Sequence, residues 1–91
     1  MIGLKKVILT ISNQRGLHAR AAAKFVKLAG EFLADITVAK DGQEVSGLSI
    51  MGLMMLAAAP GDQIEMTVAG DDADEALKAL RELVENKFEE N

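Results

Sequence analysis

Four short segments of the chain carry the pattern of apolar and polar positions that is typical of β-strands. Residues 4 to 11 end in a run of aliphatic and β-branched side chains, and residues 34 to 39 and 63 to 69 alternate between apolar and polar positions. Asp41-Gly42 is a tight-turn dipeptide, so residues 44 to 46 are predicted to return antiparallel to the strand before them.

Three other segments have the spacing of helices. The first runs from Ala19 to about Leu33, and Gly30 falls near its end, where glycine commonly forms a left-handed cap. Its apolar positions are Ala22, Phe25, Val26, Ala29 and Leu33, and a stripe of cations on another face comprises Arg20, Lys24 and Lys27. This pattern predicts an amphipathic helix with one face in the core.

The second helical segment, Ser49 to about Ala58, is almost entirely apolar and rich in methionine. A short helix in a small domain rarely buries every face. We therefore predict that Leu53 and Leu56 face the core, while other side chains form an exposed interaction patch suited to flexible methionines. A fully buried core helix is the alternative.

The last helix is predicted to be capped by Asp71 or Asp72, and its early acidic residues suit the positive end of the helix dipole. Its apolar positions are Ala76, Leu77, Leu80, Leu83, Val84 and Phe88. The resulting order β-α-β-β-α-β-α predicts an α+β fold with two layers, a four-stranded antiparallel sheet and three helices on one side.

Composition narrows the chemistry that this fold can support. The chain has 91 residues, no cysteine and one histidine, so we expect a single domain over residues 1–91 with no disulfide, thiolate or multi-histidine metal site. We expect no metal and no cofactor. The absence of a signal-like or bilayer-length apolar run predicts a cytoplasmic protein without membrane contact.

The charges are distributed unevenly along the chain. The net charge is −4, yet all 14 acidic residues come at or after Glu31, so the first third of the chain is basic. The total charge and the lack of stacking aromatic residues argue against nucleic acid as a partner. A small anion or an acidic protein is favoured.

The single histidine, His18, follows a strand and a loop and begins the first predicted helix. Unpaired backbone N–H groups and the helix dipole favour an anion at that place, and imidazole supplies a nucleophilic nitrogen. Arg20 adds a forked cation suited to phosphate oxygens. A simple helix-capping or surface histidine is the alternative interpretation of this short motif.

The run Gly16-Leu17-His18-Ala19-Arg20 and the second segment, Ser49 to Met54, resemble the two signature motifs of the HPr-like phosphocarrier proteins of the bacterial phosphoenolpyruvate-dependent phosphotransferase system. The resemblance covers essentially the whole chain and implies an open-faced β-sandwich. Ala21 departs from the family pattern, which usually has proline there. Residues 53 to 56 and 88 to 91 look like the nitrogen-related paralogue NPr, whereas residues 22 to 27 look more like sugar-branch HPr.

The resemblance implies a monomeric phosphoryl carrier, not an enzyme, that accepts a phosphoryl group on Nδ1 of His18 from phosphorylated enzyme I and passes it to an enzyme IIA component. Arg20 and the backbone N–H groups of Ala19 and Arg20 would stabilise the group. Ser49 resembles a regulatory serine phosphorylated by a kinase, although it also suits a plain helix cap. The expected docking surface comprises Ala23, Lys27, Ile50, Met51 and Met54.

Two other functions fit parts of the sequence. An acyl carrier would attach a prosthetic arm to Ser49, but such carriers are helical bundles with an acidic residue before the serine, and here Leu48 precedes it. A regulatory module would have the phosphorylation state of His18 sensed by partners outside sugar transport, as in an NPr-like phosphorelay. The sequence leaves the sugar and nitrogen branches open.

Overall fold

The computed structural model describes residues 3–90, so Met1, Ile2 and Asn91 of the expected domain lie outside the described residues. Its sheet has four antiparallel strands in the order β1-β4-β2-β3. The strands are β1 (Gly3–Thr10), β2 (Asp35–Lys40), β3 (Gln43–Ser46) and β4 (Gln63–Gly70). The predicted strands are confirmed, with their ends shifted by a residue.

The helices are α1 (Ala19–Ala29), α2 (Ile50–Met55) and α3 (Ala73–Glu85), followed by a short 3-10 turn over Lys87–Glu89. They lie on one face of the sheet and leave the other face open, as predicted. On the open face Leu4 and Ile8 are largely exposed. In the described residues 3–90 none of the helices has the length and apolar content needed to cross a membrane.

The core lies between the helices and the alternating inward positions of the strands. On β4 Ile64, Met66 and Val68 are buried, while the residues between them are partly exposed. Phe25 of α1 and Leu80 of α3 pack into the same cluster. The predicted core positions Leu53 and Leu56 are also buried, so the structure confirms which side of the methionine-rich segment faces inward.

The predicted end of the first helix is wrong. The helix ends at Ala29, Gly30 has a right-handed φ of −67°, and Leu33 is 97% exposed instead of lying on the core face. The backbone N–H of Leu33 donates to the Asp72 carboxylate at 2.8 Å, which fixes the chain as it turns towards β2. Asp72 does occupy the N-cap position of α3, but it makes no capping hydrogen bond there: one carboxylate oxygen accepts from Leu33, and the other has no partner within residues 3–90.

The other two helices are also shorter than predicted. Helix α2 begins at Ile50, because Ser49 is its N-cap residue. The left-handed φ of +53° at Ala57 prevents the helix from reaching Ala58. Helix α3 ends at Glu85, so Phe88 reaches the core from the 3-10 turn beyond it. Because α3 ends at Glu85, the 3-10 turn can bring the last described residues near the start of α1.

Candidate functional site

His18 occupies the N-cap position of α1, as predicted. Its backbone is extended (φ −77°, ψ 178°), and its Nδ1 accepts a hydrogen bond from the backbone N–H of Arg20 at 3.3 Å. The lone pair on Nδ1 therefore points towards the first turn of the helix. Ala21, at the usual proline position, is buried in that turn, and α1 nevertheless begins at Ala19.

The loop before His18 is held by the loop before β4. The Leu17 N–H donates to the Ala58 carbonyl at 2.9 Å, and Ile11 exchanges backbone hydrogen bonds with Gly61 and Asp62 at 2.8 Å each. Gly16 has φ +65°, and a Cβ there would lie 2.1 Å from the Ala58 oxygen. Only glycine can adopt this left-handed conformation at low cost and also fit against the Ala58 carbonyl. The contact therefore fixes where the helix begins at the histidine.

The structure adds an acidic residue to the site that sequence reasoning missed. Nε2 of His18 lies 2.5 Å from Oε2 of Glu90, and both side chains are mostly buried, with exposed fractions of 22% and 18%. The other oxygen of Glu90 accepts from Nδ2 of the buried Asn13 at 3.0 Å, and the same amide donates to the Gly16 carbonyl at 2.8 Å. His18 is thus held at both ring nitrogens.

An unusual backbone turn brings Glu90 to the histidine. Lys87, Phe88 and Glu89 have left-handed φ values of +57°, +54° and +63°, a conformation that is unfavourable for residues other than glycine. The turn is stabilised because Phe88 is fully buried and its carbonyl accepts from Nζ of Lys24 at 2.8 Å. One cation of the predicted stripe therefore anchors this segment.

The surroundings of Glu90 favour its charged form. Its pKa is lowered from the ordinary value of 4.5, chiefly by the hydrogen bond from Asn13 and further by the contact with His18 and the charge of Lys24, against an opposing effect of burial. At neutral pH the group beside Nε2 is therefore a carboxylate, which can accept hydrogen bonds but cannot donate one. This favours the ring form with the proton on Nε2 and the lone pair on Nδ1.

Two arginines border the histidine. Arg15 and Arg20 line, with Gln14, His18 and Glu90, a shallow depression of about 320 Å³. The Arg20 side chain is exposed and forms no ion pair within residues 3–90, so its guanidinium is available to an incoming anion. The depression suits a small anion that must enter and leave easily.

Ser49 caps α2. Its Oγ accepts from the Gly52 N–H at 2.9 Å, and the side chain is partly exposed. The structural role that the sequence allowed for this serine is therefore present in the fold, whether or not the hydroxyl is also modified.

The predicted interaction patch on α2 is exposed. Ile50, Met51 and Met54 are 40%, 69% and 38% accessible. Helix α2 packs against α1, on which Ala23 is half-buried and Lys27 exposed. The five expected docking residues thus belong to two contacting helices, and the interpretation of α2 as a fully buried core helix is wrong.

Glu90 and Asn13 carry no local sequence signal for this site. Glu90 is 72 positions from His18, and it lies among other acidic residues that look like an ordinary solvated terminus. The one usable hint is Phe88, because an aromatic side chain in a polar segment indicates that the segment docks on the core.

Comparison with known proteins places these features in a family. The family model described as "PTS HPr component phosphorylation site" matches residues 5–86. The chain therefore belongs to the HPr family of phosphocarrier proteins. The HPr of Pseudomonas aeruginosa is 48% identical over 83 residues, which cover 90% of this chain and 92% of that protein.

Relatives of both family branches match at similar levels. The NPr of Shewanella violacea is 46% identical over 82 residues, covering 90% of each chain. The crystal structure of an HPr from Thermoanaerobacter tengcongensis superposes with a TM-score of 0.91 at 46% identity, covering 96% of this chain and 98% of that one. The HPr fold implied by the sequence resemblance is confirmed.

Proposed function

We propose that this HPr-family protein carries a phosphoryl group on Nδ1 of His18. The observation that carries the proposal is the position of that nitrogen: it faces the N-terminal turn of α1, and the exposed side chain of Arg20 lines the same depression as His18. A helix N-terminus and an arginine both stabilise phosphate oxygens. No other histidine is present in the chain.

In the proposed transfer, the Nδ1 lone pair attacks the phosphorus of the donor's phosphoryl group. A new N–P bond forms on His18 as the donor's bond to phosphorus breaks, and the donor keeps that electron pair. The Arg20 N–H that now donates to Nδ1 loses its acceptor when the new bond forms, and it can then donate to a phosphoryl oxygen, as can the Ala19 N–H. Positioning and charge neutralisation dominate such loose transition states.

The donor in this proposal is phosphorylated enzyme I, and the acceptor is an enzyme IIA component, as the family resemblance implies. The protein is a stoichiometric carrier, because its own histidine holds the group between two partners. Both partners must reach the same histidine, so we assign one docking surface to both: Ala23, Lys27, Ile50, Met51 and Met54. The exposed methionines support this, since flexible side chains adapt to different partner surfaces.

Ser49 is proposed as a regulatory phosphorylation site for a serine kinase. Its side chain is partly exposed and lies at the start of the helix that carries the patch. A phosphate there would add about −1.5 to −2 charges at the border of the proposed docking surface.

An NPr-like regulatory phosphorelay is the second candidate. It is favoured by the match to an NPr at 46% identity, close to the 48% found for an HPr. In this alternative the chemistry at His18 is the same, but partners sense the phosphorylation state and no sugar is transported. The four-stranded sheet argues against the acyl-carrier hypothesis.

The proposed function is tested by incubating the protein with enzyme I and phosphoenolpyruvate and measuring its intact mass. We expect one added phosphoryl group that is lost in acid, as phosphohistidine is and phosphoserine is not. The His18→Ala variant should gain none. Undiminished acid-labile phosphate in that variant would overturn the proposal.

A further inference from the structure

The contact between Glu90 and His18 needs an explanation beyond the carrier chemistry itself. The phosphoryl group is proposed to bind Nδ1, whereas Glu90 lies against Nε2 at the other edge of the ring. Three residues in unfavourable left-handed conformations precede Glu90, and a buried phenylalanine and a lysine hold them in place. Strained backbone of this kind is often kept where it positions a functional group.

We propose that Glu90 is a positioning residue for phosphoryl transfer: its carboxylate fixes the proton of His18 on Nε2 and stabilises the positive charge that the ring gains as Nδ1 bonds to phosphorus. The inference rests on the proposed function, in which Nδ1 is the attacking atom. It assigns a second partner to the histidine, at the ring nitrogen that does not bond to phosphorus.

The first half of this role follows from hydrogen-bond chemistry. An ionised carboxylate only accepts, so the Nε2 atom opposite it must carry the hydrogen. Nδ1 accepts from the Arg20 N–H, which requires a lone pair on that nitrogen. The two contacts select the same ring form, and that form has its nucleophilic lone pair on Nδ1.

The second half follows from the charge balance of the transfer. When the lone pair of Nδ1 enters the N–P bond and the hydrogen stays on Nε2, the neutral imidazole becomes a cation. A carboxylate beside Nε2 attracts this cation more strongly than the neutral ring, so it stabilises the transition state more than the ground state. The attraction should be appreciable because both side chains are about four-fifths buried.

Asn13 completes the arrangement. Its amide nitrogen binds the second oxygen of Glu90 and the carbonyl of Gly16, so it ties the carboxylate to the loop that delivers His18. Because Asn13 is 1% exposed, this link has little freedom to move. The carboxylate is therefore oriented from the histidine loop as well as from its own segment.

The test compares Glu90→Ala and Glu90→Gln with the matched control Glu89→Gln, an exposed neighbour in the same segment. The rate of enzyme I-dependent phosphorylation is measured by quenching the reaction at successive times. The His18 ring is observed by NMR in protein labelled with ¹⁵N-histidine, at a pH where the ring is neutral. The wild type should show a downfield Nε2–H proton that exchanges slowly with water. Glutamine still accepts the hydrogen bond but lacks the charge, whereas alanine provides neither.

We expect Glu90→Ala to lower the rate constant of phosphorylation about tenfold, the effect of one charge-assisted hydrogen bond in a partly exposed site, and to lose the slowly exchanging proton. Glu90→Gln should move that proton upfield and give an intermediate rate. Glu89→Gln should match the wild type in both measurements. The spectroscopic signature separates positioning of the ring from a general loss of folding.

Equal phosphorylation rates for wild type and both Glu90 variants would overturn the role of Glu90, as would the absence of the downfield proton from the wild type. These results differ from a failure of the proposed function, in which the wild type itself would not be phosphorylated by enzyme I. If Glu90→Ala proves unfolded, the Glu90→Gln variant still decides the question, because it removes the charge with almost no change of shape.

Discussion

Gly16 and Ala58 approach so closely that a single methyl group on Gly16 would lie 2.1 Å from the Ala58 carbonyl oxygen. The next residue, Leu17, donates its backbone N–H to that same oxygen at 2.9 Å. The pair therefore joins the loop that carries His18 to the loop that precedes β4. The position of the histidine depends on this backbone contact between segments far apart in sequence.

We predict that Gly16→Ala lowers the free energy of unfolding by at least about 2 kcal/mol, because it adds a backbone clash to the cost of a left-handed residue. Gly42→Ala is the matched control: Gly42 also has a positive φ, +83°, but nothing lies within 4 Å of a Cβ there. That variant should lose only about 1 kcal/mol. Urea denaturation measures both, and equal losses would show that the contact with Ala58 is unimportant.

Arg20→Ala is expected to slow phosphorylation of His18 about 10- to 100-fold, as loss of one or two charge-assisted hydrogen bonds to the phosphoryl group would do. The melting temperature should change little because the side chain is exposed. Rapid-quench kinetics with enzyme I measures the rate. Arg15→Ala, which removes an equal charge from the same depression, should cost less, and an Arg20→Ala variant that transfers normally would refute the role of Arg20.

Local sequence patterns predicted most of this fold. The alternation on β4 and the Asp41-Gly42 turn depend on neighbouring residues, and so does the cluster of glycine, histidine and arginine at the start of α1. The end of α1 could not be predicted in this way, because Leu33 is fixed by the distant carboxylate of Asp72. The predicted length of α1 was wrong where this tertiary contact overrides a local preference.

Dependence on tertiary contacts also explains why the carboxylate beside His18 was not predicted. Glu90 reaches His18 through three left-handed residues that no local preference favours, and tertiary contacts of Phe88 and Lys24 stabilise that turn. A basic site was predicted from the first third of the chain, yet the folded site also contains a carboxylate from the other end. Spacing along the sequence alone cannot predict a contact between residues 72 positions apart.

The lowered pKa of Glu90 predicts a pH-dependent contribution to stability. Since its folded pKa lies below the ordinary 4.5, chiefly because of the hydrogen bond from Asn13, the charged form stabilises the fold at pH values above 4.5. This stabilisation is lost as the pH falls through the folded pKa. Glu90→Gln, which imitates the protonated acid, should therefore be less stable than wild type at neutral pH and equally stable in strong acid.

Chemical denaturation of both proteins across the acidic range measures this difference. Glu89→Gln serves as the control, because it removes a carboxylate from the same segment at an exposed side chain that contacts Lys24 instead of His18 and Asn13. A stability gap between wild type and Glu90→Gln that stays constant from neutral to strongly acidic pH would contradict the prediction.

Met51→Glu should weaken binding of both enzyme I and the acceptor while leaving thermal stability nearly unchanged. Met51 is 69% exposed, and a carboxylate there would have to be desolvated without a partner when either protein covers the patch. Titration calorimetry measures the two affinities. Leu33→Glu places the same charge at another exposed apolar side chain outside the patch and should bind normally. A collapse of the melting temperature of Met51→Glu with unchanged binding would make Met51 a structural residue.

Ser49 can be tested by separating its capping role from its proposed regulatory role. Because Oγ of Ser49 accepts from the Gly52 N–H at 2.9 Å, Ser49→Ala should lower the free energy of unfolding by about 1 kcal/mol and still transfer phosphate normally. Ser49→Asp keeps a capping oxygen and suits the helix dipole, so it should remain folded. It should nevertheless slow phosphorylation of His18, since the added charge lies next to Ile50 at the border of the proposed docking surface.

Steady-state transfer from enzyme I to His18, measured beside thermal melts, distinguishes these effects. Ser46→Asp is the matched control, because it adds the same charge at an exposed position on β3, before the capped helix begins. If the charge acts at the border of the docking surface, Ser49→Asp should transfer more slowly than Ser46→Asp at equal stability. Equal rates for wild type and Ser49→Asp would leave Ser49 with the cap of α2 as its only role.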